Sequence, residues 1–130
     1  MADIKLLNPD TLGKPLGPYS HIARVKASEF LFIAGQVGAG KDGASFEEQC
    51  DLTFAALGAA LKSQGADFGN VVEFTTYMVH SQDIPKFMAW RAANFPKLFP
   101  SGKYPPNTLL MIDRLVKEEL LIEISAIAAL

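Results

Sequence analysis

The sequence predicts an α+β fold, a two-layer sandwich with the element order β-β-α-β-α-β-β. Two segments carry one apolar stripe each at helical spacing, and five others are rich in β-branched, aromatic and leucine residues. Helices with a single apolar stripe must bury it, and a sheet provides the cover. With 130 residues, 49% of them hydrophobic, the chain is large enough for one core and too small for two. We therefore expect a single domain over residues 1–130.

The first two strands are predicted to form a hairpin. Residues 8–20 contain three prolines and two glycines, too many for a long helix or a central strand. His21–Lys26 and Phe30–Gly35 follow, separated by the short polar break Ala27-Ser28-Glu29, and this pattern is typical of a β-hairpin. The pattern also allows a short additional strand at Ile4–Leu7.

The first helix begins at a capping box. In Ser45-Phe46-Glu47-Glu48 the serine hydroxyl can accept from an amide of the first turn while Glu48 reaches back. Gly65 fits the position that ends the helix. The apolar stripe between them consists of Cys50, Phe54, Leu57 and Leu61.

The remaining elements follow in order. Val71–Val79 is a strand whose even positions face the core, and Ser81 or Asp83 caps a second helix bounded by Pro96 and Pro100. Thr108–Ile112 and Leu120–Ala128 are the closing strands. One side of the second helix carries Ile84, Phe87, Met88, Arg91 and Phe95.

Composition excludes several classes of function. Twelve basic against fourteen acidic residues give a net charge of −2, and no basic run exists, so we expect no nucleic-acid partner. No apolar stretch reaches the length of a membrane span, and the first residues lack a signal-peptide core. We expect a soluble, cytoplasmic protein without a membrane partner. One cysteine and two isolated histidines give no metal-ligand spacing, so we expect neither metal nor cofactor.

Few residues could carry chemistry. Glu123 alternates with the apolar face of the last strand, so it is either solvated at a sheet edge or held in a cleft. Tyr19, in a rigid Gly-Pro-Tyr-Ser turn, is either a packed aromatic or a phenol presented to a ligand. Cys50 on the helix stripe is expected to be an inert core thiol, His21 and His80 structural or exposed, and Trp90 a helix-packing residue.

Several segments, in order, resemble the RidA/YjgF family, the reactive-intermediate deaminases also called L-PSP endoribonucleases. The resemblance runs from about Leu16 to Ala128 and is most specific at Gly35-Gln36 and in the ending after Leu121. It is carried by Gly17-Pro18-Tyr19-Ser20, Leu31–Gln36, Tyr77-Met78-Val79, Tyr104-Pro105-Pro106 and Leu121–Ala128. The resemblance implies a chorismate-mutase-like fold, a mixed sheet with two helices on one face, assembled as a homotrimer with clefts between subunits.

The family resemblance also implies a reaction, the hydrolysis of 2-imino or enamine acids to keto acids and ammonia. It assigns Glu123 and Tyr19 as catalytic residues and Gly35 as a residue that lines the cleft. At the position of the family's carboxylate-binding arginine the sequence has Asn107, and at a position that is often cysteine it has Leu109. Losing a partly buried Arg–carboxylate pair costs on the order of 2–5 kcal/mol. A standard 2-iminoacid substrate is therefore not expected.

Two functions remain open from the sequence. The chain is either a hydrolase of another small imine, enamine or related metabolite, with Asn107 orienting the substrate, or a trimer that binds a small metabolite without turnover. A lesser alternative is an RNA-cleaving or protein-partner role, which the net charge disfavours. Asn107 has a purely structural reading as well, a turn residue at the start of a strand. Arg24, Arg91 and Arg114 could replace the missing arginine, but the sequence places none of them in the cleft.

Overall fold

All 130 residues are described by a computed structural model, which contains six strands and two long helices. Strands β3, β6, β4 and β5 form one sheet in that order, and both long helices pack on one face of it. The predicted α+β sandwich is confirmed. The elements are β1 (Asp3–Leu7), β2 (Ile22–Lys26), β3 (Phe30–Val37), α1 (Phe46–Ser63), β4 (Val71–Met78), α2 (Ile84–Leu98), β5 (Asn107–Met111) and β6 (Ile122–Ala129).

The four-stranded sheet is mixed, as expected. Strand β6 pairs antiparallel with both β3 and β4, whereas β4 and β5 are parallel and are connected through α2. A parallel pair requires such a crossover because its strands enter the sheet from the same end. Strand β6 is thus central, and β3 and β5 are the two edges of this sheet.

The prediction that β2 and β3 form a hairpin is wrong. Strand β2 pairs with β1 in a separate two-stranded sheet, which confirms a strand at Ile4–Leu7, and β3 pairs with β6 instead. The break Ala27-Ser28-Glu29 has no residue at positive φ, and short hairpin loops usually need one. The amides of Ser28 and Glu29 donate to the Leu130 carbonyl, so the break is tied to the end of β6.

Both predicted ends of α1 are confirmed. The Ser45 hydroxyl accepts from the Glu48 amide at 3.1 Å, and the Glu48 carboxylate accepts from the Ser45 amide at 3.2 Å. At the other end Gly65 has φ +72°, a conformation that side chains other than glycine rarely adopt. The Ala66 amide reaches the Leu61 carbonyl at 3.0 Å, as in a Schellman motif.

The start and end of α2 differ from the prediction. Neither Ser81 nor Asp83 caps it with a side-chain hydrogen bond, because both lie in a 3-10 turn that leads into the helix. Pro96 does not end the helix, which runs on to Leu98. The carbonyl that loses its helical donor at Pro96 belongs to Ala92, an exposed residue, so water can satisfy it.

The core lies between the two helices and the sheet. The predicted faces of α1 and β4 are buried, and Trp90 packs in the helix layer, stacked on Phe54 at 4.7 Å and donating to Asp51 at 2.8 Å. Cys50 is fully buried, as expected. The largest buried side chains of the core cluster are Phe46, Phe54, Leu57, Leu61, Phe74, Met78, Phe87, Trp90, Phe95, Phe99, Ile122 and Ile124.

Candidate functional site

Glu123 lies on the face of the sheet that the helices leave open. Its neighbours in β6, Ile122 and Ile124, are fully buried against the helices, so the alternating Glu123 projects to the other side. In register it stands between Val37 of β3 and Tyr77 of β4. Glu123 is partly buried in a central strand, so it does not lie at a sheet edge.

Gly35 makes room for the Glu123 carboxylate. The register of β3 on β6 shifts between Ile33 and Gln36, an irregularity typical of a β-bulge. A Cβ atom on Gly35 would lie 2.6 Å from Glu123 Cδ, closer than atoms can approach. The structure therefore brings together two residues that the sequence predicted for one site. We call Glu123 and Gly35 the acidic half-site.

Tyr19 lies in a loop that is anchored to the segment before β5. Its phenol oxygen accepts from the Leu16 amide at 3.1 Å, and its ring meets His21 edge-on. The buried Ser20 hydroxyl donates to the Tyr104 carbonyl at 2.6 Å. The Tyr19 ring is partly buried, and its hydroxyl helps to close its own turn.

Asn107 is the first residue of β5, and its amide is oriented by a buried threonine. Its Oδ1 accepts from Thr76 Oγ1 at 2.7 Å, which leaves the amide Nδ2 as the group available to a ligand. Thr76 is 1% exposed and faces the helices. Leu109, two residues on, packs against the core cluster. We call Tyr19, Asn107 and Leu109 the amide half-site.

The two half-sites do not meet within one chain. Asn107 pairs with Phe74 and faces the helices, whereas Glu123 pairs with Tyr77 and faces away from them. They also lie toward opposite edges, because Glu123 adjoins edge strand β3 and Asn107 belongs to edge strand β5. A single cleft that uses both groups therefore needs two copies of the chain.

The three arginines left unplaced by the sequence have different environments. Arg24 is exposed on β2, and Arg114 is exposed with its guanidinium 3.4 Å from Glu118. Arg91 is 4% exposed on the buried side of α2. Burial lowers the pKa of Arg91 to about 10, so it stays charged at neutral pH. Its position in the apolar stripe of α2 was the signal of this burial.

The other candidate residues carry no site. The pKa of the Cys50 thiol is raised, mainly by burial, so the thiol is protonated at neutral pH. The ring of His21 lies 3.0 Å from the Gly13 carbonyl, and His80 is exposed.

No group of three or more His, Cys, Asp or Glu residues lies together as a metal site would require, and neither long helix could cross a membrane. A groove of about 770 Å³ between β1 and the end of α2 contains none of the predicted site residues.

A family model described as Endoribonuclease L-PSP matches residues 11–130, nearly the whole chain. The chain belongs to the RidA/YjgF family. A RutC family protein of Pyrococcus horikoshii is 32% identical over 120 residues, which cover 88% of this chain and 89% of the relative. The predicted family is thereby confirmed.

Two further comparisons within the RidA family concern a plant protein and a solved structure. The chloroplast Reactive Intermediate Deaminase A of Arabidopsis thaliana is 30% identical over 91 residues, which cover 66% of this chain and 48% of that protein. The crystal structure of YyfB from Yersinia pestis, a Rid family protein of unknown function, superposes with a TM-score of 0.83 at 29% identity. The superposition covers 98% of each chain, so the whole fold is shared.

Proposed function

We propose that this RidA-family chain forms a homotrimer and hydrolyses a small imine, enamine or related metabolite in clefts between subunits. The observation that carries the proposal is the Glu123 carboxylate, held partly buried in a central strand over a glycine that leaves it space. A relative that bears the name of a reactive intermediate deaminase supports the choice of reaction.

In this proposal Glu123 acts as a general base. It accepts a proton from water while the water oxygen bonds to the imine carbon. The proton then passes to the imine nitrogen, which gives a carbinolamine. The carbinolamine hydroxyl gives up its proton, nitrogen takes a proton as the carbon–nitrogen bond breaks, and a carbonyl product and ammonia (or an amine) leave. Asn107 Nδ2 donates a hydrogen bond that orients the substrate, while Tyr19 and Leu109 cover its apolar part.

The placement of the half-sites favours a ring of subunits. When the open sheet face of one copy packs against the β5 edge of the next, the acidic half-site of one copy can meet the amide half-site of the other. Such head-to-tail contacts close into a ring if the rotation allows it. The open face of the sheet also carries apolar residues, with Phe30 46% and Phe32 78% exposed. Burial of these rings would stabilise the assembly.

The test is hydrolysis of 2-iminopropanoate and of a neutral imine, each generated in the assay, with ammonia as the readout. We expect turnover by the wild type and a loss on the order of 10²-fold or more in Glu123→Gln, with the trimer intact by light scattering. Gln64→Glu makes the opposite exchange of the same two side chains at an exposed position. It is the control for effects of producing and purifying a variant. Absence of turnover with every imine and enamine tried would exclude the hydrolase.

A binding protein without turnover is the second candidate. It is favoured by Asn107, because an uncharged amide cannot offset a substrate carboxylate. It predicts saturable thermal stabilisation of the wild type by a small ligand with no product formed. Ammonia release above the uncatalysed rate would decide in favour of the hydrolase.

A further inference from the structure

Arg91 is a buried cation without an acidic partner. Only 4% of it is exposed, and none of the ion pairs in the structure includes it. Arginine is seldom fully buried unless it is paired, because the desolvated charge must be compensated. The buried charge of Arg91 therefore either lowers the stability of the fold or has a function.

Most donors of the Arg91 guanidinium are unused. Nη2 donates to Met88 Sδ at 2.8 Å, and the group lies over the Phe87 ring, with Cζ 4.3 Å from the ring centroid. The buried Nε has no hydrogen-bond partner. A thioether sulfur is a weak acceptor, so these contacts do not replace the two oxygens that a guanidinium binds best.

The groups that face Arg91 do not neutralise it. The buried Asp83, in the turn that leads into α2, is paired with Lys86 at 3.4 Å. From α1 the nearby group is the protonated Cys50 thiol, and from the N-terminal loop it is Tyr19, whose oxygen already accepts from Leu16. The charge is thus left for a partner from outside the chain.

Only a thin cover separates this guanidinium from solvent. A Cβ atom on Gly17 would lie 3.6 Å from Arg91 Nη2 and 3.3 Å from the methyl carbon of Met88. Met88 is 36% exposed and has a flexible side chain, so its rotation opens a path to Arg91. The covering loop carries Tyr19, and Ser20 ties it to the segment that leads to Asn107. Arg91 therefore lies beneath the loop of Tyr19, one member of the amide half-site.

We propose that Arg91 is a binding residue for a small carboxylate, which displaces Met88 and takes over the unused donors of the guanidinium. The cleft would then recognise an anionic substrate from α2, although β5 has no arginine to do so. This inference names the substrate class of the proposed function and rests on it for turnover. Its binding test is independent of turnover.

The first experiment compares pyruvate with its neutral analogue pyruvamide by calorimetry on the full chain. We expect Arg91→Met to weaken pyruvate binding roughly tenfold or more, because a charge-assisted, two-pronged bond is lost. Pyruvamide should bind the wild type and the variant equally. Equal pyruvate affinity in the two proteins, or no pyruvate binding by the wild type, would overturn the proposal.

The second experiment supplies the carboxylate from the chain itself. Residues 88 and 91 face each other across one helical turn, so Met88→Glu places an acid beside Arg91. We expect it to weaken pyruvate binding roughly tenfold, while the uncharged Met88→Gln changes it less than about threefold. Unchanged pyruvate affinity in Met88→Glu would contradict the proposal.

Thermal unfolding separates a binding role from a structural one. If Arg91 only supports the fold, Arg91→Met should lower Tm and leave pyruvate affinity unchanged. If it binds the ligand, Tm should stay equal or rise, because an uncompensated buried charge is removed, and pyruvate should stabilise only the wild type.

The outcomes also distinguish this inference from the proposed function. Loss of pyruvate binding in Arg91→Met, in a protein that hydrolyses no imine, would uphold the carboxylate site and exclude the hydrolase. Imine hydrolysis that is equal in wild type and Arg91→Met would uphold the hydrolase and exclude the site.

Discussion

Glu123 and Gly35 form a pair in which the size of one residue sets the position of the other. The carboxylate occupies the volume that a methyl group at position 35 would fill. Because the atoms nearest to an added methyl all belong to the Glu123 side chain and none to the backbone, the side chain can turn away while the strands keep their positions. The pair therefore controls where the acid points more than how stable the fold is.

We predict that Gly35→Ala displaces the carboxylate and lowers turnover on the order of 10²-fold, with a change in unfolding free energy below about 1 kcal/mol. Steady-state rates and urea unfolding measure the two effects. Gly58→Ala on α1, where a Cβ atom would touch only the Phe68 ring, is the matched control and should keep the rate. A rate for Gly35→Ala equal to that of the wild type would show that the position of Glu123 is unimportant.

Cys50 should behave as a protected thiol. It is fully buried, and burial together with the nearby acidic residues raises its pKa, so little thiolate forms at neutral pH. We predict that iodoacetamide leaves the native protein unmodified over hours and alkylates it completely in guanidinium chloride, as followed by mass spectrometry. Alkylation of the native protein at the rate of a free cysteine would contradict this account.

Among the elements, the connection between α1 and β6 depends on Gln49. This residue is 3% exposed, and its Nε2 donates to the Glu119 carbonyl at 2.9 Å. Its Oε1 accepts from the Leu121 amide at 2.8 Å. One side chain in the first turns of α1 thus holds the backbone that enters the strand of Glu123.

We predict that Gln49→Met destabilises the fold by about 1–3 kcal/mol, because it leaves three backbone groups, the Ala44 and Glu119 carbonyls and the Leu121 amide, without this partner. The urea unfolding midpoint measures this loss. Gln64→Met, an exposed change of the same chemistry at the end of α1, should shift the free energy of unfolding by less than about 0.5 kcal/mol. Similar losses in both variants would show that Gln49 does not act through these hydrogen bonds.

Local signals at the level of elements were predictable from the sequence, and long-range pairing was not. The capping box, the apolar stripe of α1 and the glycine at its end depend on neighbouring residues, and all three are confirmed. The hairpin failed because adjacency in sequence favours pairing without enforcing it, and β3 pairs with a strand about 90 residues away. Gln49 was missed because a polar residue in an apolar stripe gives no sign of its distant partners.

At the scale of the whole molecule, the open face of the sheet should be the assembly surface. We predict that Phe32→Glu prevents formation of the proposed trimer and abolishes the proposed turnover, since it places a charge among apolar side chains. Ala59→Glu, on the exposed side of α1, should leave the assembly intact. Light scattering measures the mass of each variant, and a trimeric Phe32→Glu would contradict the surface proposed for assembly.

The candidate site was only partly predictable, because its geometry also depends on strand pairing between distant parts of the chain. Proximity of Gly35 to Glu123 follows from strand pairing within one chain and is observed. Asn107 and Glu123 lie on opposite faces of the sheet because of the parallel pairing of β4 with β5. No local sequence pattern predicts this pairing. The environment of Arg91 depends on how the loop at Gly17 crosses α2. The path of a loop cannot be predicted from the spacing of residues in the sequence.

The place of β6 in the middle of the sheet has a consequence for how the protein is made. Strands β3 and β4 have no hydrogen bonds to one another, and only residues 122–129 join them. During synthesis on the ribosome, β3 and β4 cannot join into one sheet until residues 122–129 have left the exit tunnel, so their apolar side chains stay exposed until then. A nascent chain stalled before Ile122 should therefore be a substrate for chaperones, and release should be followed by rapid completion of the core.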